Sequence, residues 1–265
     1  MRDQEVDVHF VEAGGASIPA LGFGTYRLSE DEAHRMVGEA LSVGYRHIDT
    51  AQMYRNEAGV GRGVRDSGVN RDEIFLTTKV WPDNFRREDL LSSMEDSLAK
   101  LGLDHVDLVL LHWPGRSVPL EETISALNES RERGDTRHIG VSNFDPDLFS
   151  RAAGLSGAPL VNNQVEYHPF RDQSPVLAAA RETGSSVTAY SPLDKGRVSG
   201  NETLAEIGEA HGKDEGQVSL RWLVQQEGVI AIPKTASPER CRSNFEIFDF
   251  ELSADEMVRI SELAR

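Results

Sequence analysis

The sequence predicts an α/β fold, a (β/α)8 TIM barrel with an N-terminal β-hairpin and short rim loops. Three observations carry this reading. From Ala20 onward eight short strand candidates alternate with helical segments, and several are apolar throughout, as strands buried on both faces are. No linker, low-complexity run or repeat interrupts the 265 residues, a length that such barrels reach as one domain, so residues 1–265 read as a single domain. No strand leads into a complete Gly-x-Gly-x-x-Gly turn, which disfavours the alternative, a doubly wound open sheet.

In chain order, Val8–Phe10 and Ser17–Pro19 flank Gly14-Gly15 and read as the hairpin. Ala20–Gly24 is the first barrel strand. Ser29 caps a helix from Glu30 to Val43, with Glu32 placed for a capping box. Later strands are expected over Tyr45–Asp49, Ile74–Val80, Val106–His112, Arg137–Ser142, Leu160–Glu166, Ser186–Tyr190 and Val229–Pro233. Helices are expected over Asn56–Ser67, Arg87–Leu101, Leu120–Arg133, Pro146–Ala153, Pro175–Thr183, Glu202–His211 and Asp214–Gln226. Gly22-x-Gly24 lacks a third glycine, and Gly59-x-Gly61-x-Gly63 falls within a helix. Both read as packing or turn glycines.

Bulk composition excludes several classes. The formal net charge is −16, with 44 acidic residues against 28 basic ones, which is the opposite of a nucleic-acid footprint. The single cysteine, Cys241, rules out an internal disulfide framework and a cysteine-based zinc site. The N-terminal run lacks the apolar stretch of a signal peptide, and no apolar run approaches membrane-spanning length. A cytoplasmic protein is the expectation.

Four polar residues fall at strand C-termini or just beyond: Asp49, Tyr54, Lys79 and His112. Each has an ordinary structural reading, the Asp as a cap, the Tyr as packing and the His as a hydrogen-bonded core residue. Barrels of this class also present reactive groups at that rim. Taken together the four make a proton-transfer set. A phenol is a poor acid or base at neutral pH unless a cation stabilises its phenolate, and Lys79 could be that cation. Asp49 could hold the ammonium, and His112 could hydrogen-bond a carbonyl oxygen. Such a set suits interconversion of a carbonyl and an alcohol.

The run Gly44-Tyr45-Arg46-His47-Ile48-Asp49-Thr50-Ala51, continuing through Tyr54, Asn56 and Glu57, resembles the signature of the aldo-keto reductases. Thr78-Lys79-Val80-Trp81, Leu111-His112-Trp113-Pro114, Gly140-Val141-Ser142-Asn143-Phe144, Asn163-Gln164-Val165-Glu166-Tyr167-His168-Pro169 and Ile232-Pro233-Lys234-Thr235 resemble the family's other blocks, in order, from about Ile18 to Leu263. The closest flavour is that of the bacterial 2,5-diketo-D-gluconate reductases. The resemblance implies NADPH-dependent reduction of small aldehydes, α-keto aldehydes or keto-sugars by a monomer. Tyr54 would be the general acid, tuned by Lys79 and Asp49, with His112 orienting the carbonyl.

For the cofactor, the resemblance implies Gly24 and Thr25 at the first strand end, and Ser142, Asn143 and Gln164 on the carboxamide. Tyr190 would stack on the nicotinamide, with Ser191, Pro192 and Leu193 along the pyrophosphate. Lys234, Thr235, Arg240 and Asn244 would take the 2′-phosphate and adenosine, with Arg242 adjacent. A cation pair beside a helix N-terminus suits a phosphate dianion. Tyr26, Trp81, Phe85 and Trp113, with His112, would line the substrate pocket.

Two departures bear on these expectations. Ser243 stands where the family often has Glu or Gln beside the adenine. The chain ends at Arg265, where many relatives continue into a pocket wall, and the segments 114–119 and 194–201 are short, so an open pocket is expected. Two other readings compete: a non-catalytic nicotinamide sensor or partner-docking protein on the same fold, and a metal-dependent barrel hydrolase. The intact catalytic set argues against the first. For the second, His47 and Asp49 make only one ligand pair, so no metal is expected.

Overall fold

The computed structural model describes residues 9–264. Strands β1 (Phe10–Ala13) and β2 (Ala16–Pro19) form the antiparallel hairpin, with Gly14 and Gly15 at positive φ in its turn. The expected first arm began at Val8, which lies outside the described residues. A Cβ on Gly14 would stand 2.9 Å from Pro159 and Val161, so the hairpin lies against the start of a barrel strand, at the end opposite the site.

Eight parallel strands follow in chain order: β3 (Phe23–Gly24), β4 (His47–Asp49), β5 (Phe75–Val80), β6 (Val106–Leu111), β7 (Thr136–Ser142), β8 (Leu160–Glu166), β9 (Ser186–Tyr190) and β10 (Val229–Ala231). The sheet closes on itself. Ala231 N donates to Ala20 O at 2.8 Å, Gly22 N to Ala231 O at 2.8 Å and Gly24 N to Pro233 O at 2.9 Å. The barrel is therefore complete, and the open sheet is excluded.

Around it lie α1 (Glu30–Val43), α2 (Glu57–Asp66), α3 (Arg87–Leu101), α4 (Leu120–Arg133), α5 (Pro146–Leu155), α6 (Ser174–Thr183), α7 (Glu202–His211), α8 (Glu215–Val224), α9 (Pro238–Phe245) and α10 (Ala254–Ser261). Helix starts follow local chemistry. Ser29, Asp214 and Ser253 make capping boxes with Glu32, Gln217 and Glu256. Pro146 and Pro238 occupy first-turn positions where a missing N–H costs nothing.

Where the strands differ from expectation, the reason is local. Tyr45 is not in β4, because its amide turns back to Ala40 O at 3.0 Å and its buried hydroxyl donates to Cys241 O at 3.1 Å. β10 stops at Ala231, two residues before Pro233, which has no N–H to give the ladder. Ala20–Leu21 contributes closure bonds rather than regular strand. Among the described residues no helix is long and apolar enough to cross a membrane.

Candidate active site

At the C-terminal rim, β4 ends at Asp49 and the chain makes one 3-10 turn, Gln52–Tyr54, before reversing at Arg55 with φ of 56°. Asn56 pins this corner. Its Nδ2 donates to Thr25 O at 2.9 Å and Leu28 O at 3.0 Å, and its Oδ1 accepts from Thr50 Oγ1 at 3.0 Å. The turn is thereby fixed and Tyr54 is aimed over the barrel mouth.

Lys79, from β5, is fully buried. Its Nζ donates to Asp49 Oδ1 at 2.5 Å, Thr50 O at 2.9 Å and Tyr54 Oη at 3.3 Å. Asp49 Oδ2 accepts from Gln164 Nε2 at 2.8 Å, so both carboxylate oxygens are engaged. His112 lies one residue past β6, held by its amide bond to Val80 O at 3.0 Å. Its ring stands edge-on to Tyr54 at 5.7 Å and to Trp81 at 5.2 Å.

Burial dominates the electrostatics. It pushes Tyr54 well above the usual tyrosine range, with Asp49 and Tyr26 adding to the shift. Tyr54 therefore keeps its proton in the resting site, the state that the expected general-acid role requires. Burial also lowers Lys79, and Asp49 opposes it. His112 is pushed down to about 3 by burial and then by the Lys79 charge, so it meets a ligand as a neutral hydrogen-bonding group.

A cavity of ≈ 610 Å³ opens over these groups. One wall is a polar chain: Ser142 Oγ donates to Gln164 O at 2.8 Å, Asn143 Nδ2 to His112 O at 3.1 Å, and Tyr190 Oη to Asn143 Oδ1 at 2.9 Å. The cavity continues past Gly24, Ser191, Pro192 and Leu193 to Lys234, Thr235, Arg240 and Asn244. Arg240 lies in the first turn of α9, whose cap Ser237 accepts its amide. Thr25 is placed otherwise: it is fully buried and gives its hydroxyl to Asp49 O at 2.9 Å. Arg242 turns away to Glu39, so it adds nothing to the Lys234–Arg240 pair.

At the mouth, Tyr26 and Trp113 are exposed and line the cavity. Phe85 does not. It is 1% exposed and packs so closely against Gly115 that a Cβ there would lie 2.7 Å from its ring. Trp81 meets the site through the His112 ring.

Sequence reasoning missed Arg27, Met53 and Lys195, which also line the cavity. Among the described residues, none of Arg27, Lys195, Lys234 and Arg240 has a carboxylate within ion-pair distance. Unpaired cations concentrated in one cleft of a chain this acidic are a signal, though only the fold brings them together. Glu166, His168 and Asp194 have ligand atoms within 4.8 Å of one another, a spacing that could hold a cation. Arg171 stands 3.1 Å from Glu166 and Arg197 3.3 Å from Asp194, so guanidinium groups already balance both carboxylates.

The profile of the Aldo/keto reductase family matches residues 20–265. The chain belongs to that family. This aldo/keto reductase is 40% identical over 250 residues to methylglyoxal reductase DkgB of Escherichia coli O157:H7, covering 93% of each chain. It superposes with a TM-score of 0.96, at 53% identity, on a crystal structure provisionally named 2,5-diketo-D-gluconic acid reductase B, covering 97% of this chain and 92% of that one. The Bombyx mori aldo-keto reductase, solved in complex with NADP, matches with a TM-score of 0.92 and 34% identity over 97% of this chain and 93% of its own.

Proposed function

We propose that this aldo/keto reductase uses NADPH to reduce small aldehydes, α-keto aldehydes or keto-sugars, with Tyr54 as the general acid. The observation that carries the reading is the buried Lys79 ammonium, which bridges Asp49 and the Tyr54 hydroxyl. When bound, the cofactor supplies the hydride that forms the new C–H bond. Tyr54 gives its proton to the oxygen as the carbonyl π pair moves onto that oxygen, and Lys79 stabilises the phenolate left behind. Neutral His112 donates a hydrogen bond that fixes the carbonyl. Tyr26 and Trp113 face the rest of the substrate and exclude water.

The cavity residues fit the cofactor. Ser142, Asn143 and Gln164 offer donors and acceptors to a carboxamide, and Tyr190 offers a flat face to the ring. Among the described residues Arg27, Lys195, Lys234 and Arg240 have no ion pair, and these four cations match the anionic pyrophosphate and 2′-phosphate. Lys234 and Arg240 stand by the α9 N-terminus, where the helix dipole adds to their charge.

Tyr54→Phe tests the reading. NADPH binding, followed by fluorescence, should be retained, while kcat for methylglyoxal falls by roughly 10²–10⁴-fold. Turnover close to that of the unmodified protein would remove Tyr54 from the chemistry.

A further inference from the structure

The turn that carries Tyr54 is held at its start by a side chain that does not reach the cavity. Gln52, the first residue of that 3-10 turn, is half-buried and is not part of the cavity wall. Its Nε2 donates to Ser93 O, Ser93 Oγ and Ser97 Oγ, each at 3.1 Å. Its Oε1 accepts from Trp81 N at 3.2 Å and Asn84 Nδ2 at 3.4 Å. Trp81 N can only donate and Ser93 O can only accept, so the partners fix which way the amide faces. Both ends of the amide are fully engaged.

These partners reach the strand of Lys79 by two routes. Trp81 directly follows β5, and its ring stands edge-on to His112 at 5.2 Å. Ser93 and Ser97 lie one turn apart on the face of α3 that meets Gln52. Ser97 is fully buried and donates to Glu57 Oε2 at 3.4 Å, while Thr78 Oγ1 donates to Glu57 Oε1 at 2.7 Å. Thr78 precedes Lys79 in β5, so the second route runs through Ser97 and Glu57. Asn56 anchors the far side of the same turn. The Lys79–Tyr54 bond, at 3.3 Å, is the longest of the three that Lys79 Nζ makes, so a turn displaced by roughly half an ångström loses it first.

We propose that Gln52 is a positioning residue for proton transfer, resting on the reading of Tyr54 as the general acid. Its amide ties the Tyr54 turn to both ends of the Thr78–Trp81 segment and so sets the distance from the Tyr54 hydroxyl to Lys79 and the gap between the Tyr54 and His112 rings. A plain structural brace and a positioning residue differ in what they disturb. A brace, once lost, weakens cofactor binding and turnover together and acts whether or not Tyr54 carries a hydroxyl. A positioning residue acts only through that hydroxyl.

Gln52→Met keeps the length of the side chain and removes both ends of the amide. In stopped flow with methylglyoxal, its single-turnover rate of NADPH oxidation should fall about tenfold, less than the roughly 10²-fold that a 1 Å misplacement of a reacting group costs. The NADPH dissociation constant should be unchanged. The solvent isotope effect on that rate should grow, because proton delivery from a misplaced phenol limits the step more. In a Tyr54→Phe background the substitution should cost nothing further. An unchanged rate, an equal loss in both backgrounds, or a matching loss of NADPH affinity overturns the proposal. Ser97→Ala, a near-isosteric change that cuts the route to Glu57, should give a smaller loss with the same isotope signature, and it decides by the same criteria should Gln52→Met not fold. Retained turnover in Tyr54→Phe alone overturns the general-acid reading instead, so the two failures are distinguishable.

Discussion

Lys234, three residues past β10, lines the cleft and among the described residues has no carboxylate within ion-pair distance, which makes it the residue best placed to tell a phosphorylated ribose from a bare one. Lys234→Ala should raise KM for NADPH about tenfold while KM for NADH moves little, as steady-state kinetics with both cofactors would show. Equal effects on the two would refute the assignment. At this scale the sequence was legible wherever chemistry and position coincide. Asp49, Tyr54, Lys79 and His112 lie at or beyond strand ends and do meet at one point. Phe85 misled because an aromatic beside a strand end looks the same whether it faces the cavity or the core. Arg27 and Lys195 were missed for a different reason. Their significance lies in unpaired charge or left-handed backbone, and neither property appears before the chain is folded.

Among elements, α2 shows how tightly the outer layer is built on the site. Its three glycines face close neighbours: a Cβ on Gly59 would sit 2.0 Å from Glu30 O, and one on Gly61 would sit 1.9 Å from Leu101 O. Only a bare Cα lets α2 nest between α1 and α3, and that nesting fixes the corner carrying Tyr54 and Asn56. Gly61→Ala should therefore cost about 2–3 kcal/mol, against the small gain an exposed helical Gly→Ala brings, and a urea titration would measure it. Reading these glycines as packing rather than phosphate-binding was possible from sequence, because they fall inside a helical pattern instead of a strand-to-helix turn. Helix limits were legible where caps announce them, as at Ser29 and Pro146. Strand limits were less so. Tyr45 has strand propensity, but it is claimed by a bond back to α1 and a hydroxyl contact to α9, both tertiary.

For the molecule as a whole, the barrel interior holds imidazoles that cannot charge in place. His47, fully buried with Nε2 3.2 Å from Thr77 Oγ1, is lowered to about 4 by burial, and His112 to about 3. A histidine depressed in the folded state leaves the unfolded chain holding more protons below its ordinary value of 6.5. Stability is then fully present above 6.5 and is lost as pH falls toward 4. His47 alone accounts for on the order of 3 kcal/mol of this loss. The check is a comparison of urea midpoints for the unmodified protein and His47→Gln across that window, with the gap between them narrowing as pH falls. The eight-stranded plan was legible because alternation survives imprecise boundaries. This interior layer was not, since His47 in a signature run reads equally as a ligand or as core.

The barrel closes through backbone bonds that join Ala20–Gly24 to Ala231–Pro233, and the same two segments carry Gly24 and Lys234 to the cavity. The seam where the chain's beginning meets its end thus runs directly beneath the cleft. A ligand lying across both sides would tie the first strand to the last, so its affinity and the closure of the barrel become linked quantities. Any change that loosens the seam would weaken binding, and binding would make the barrel harder to open.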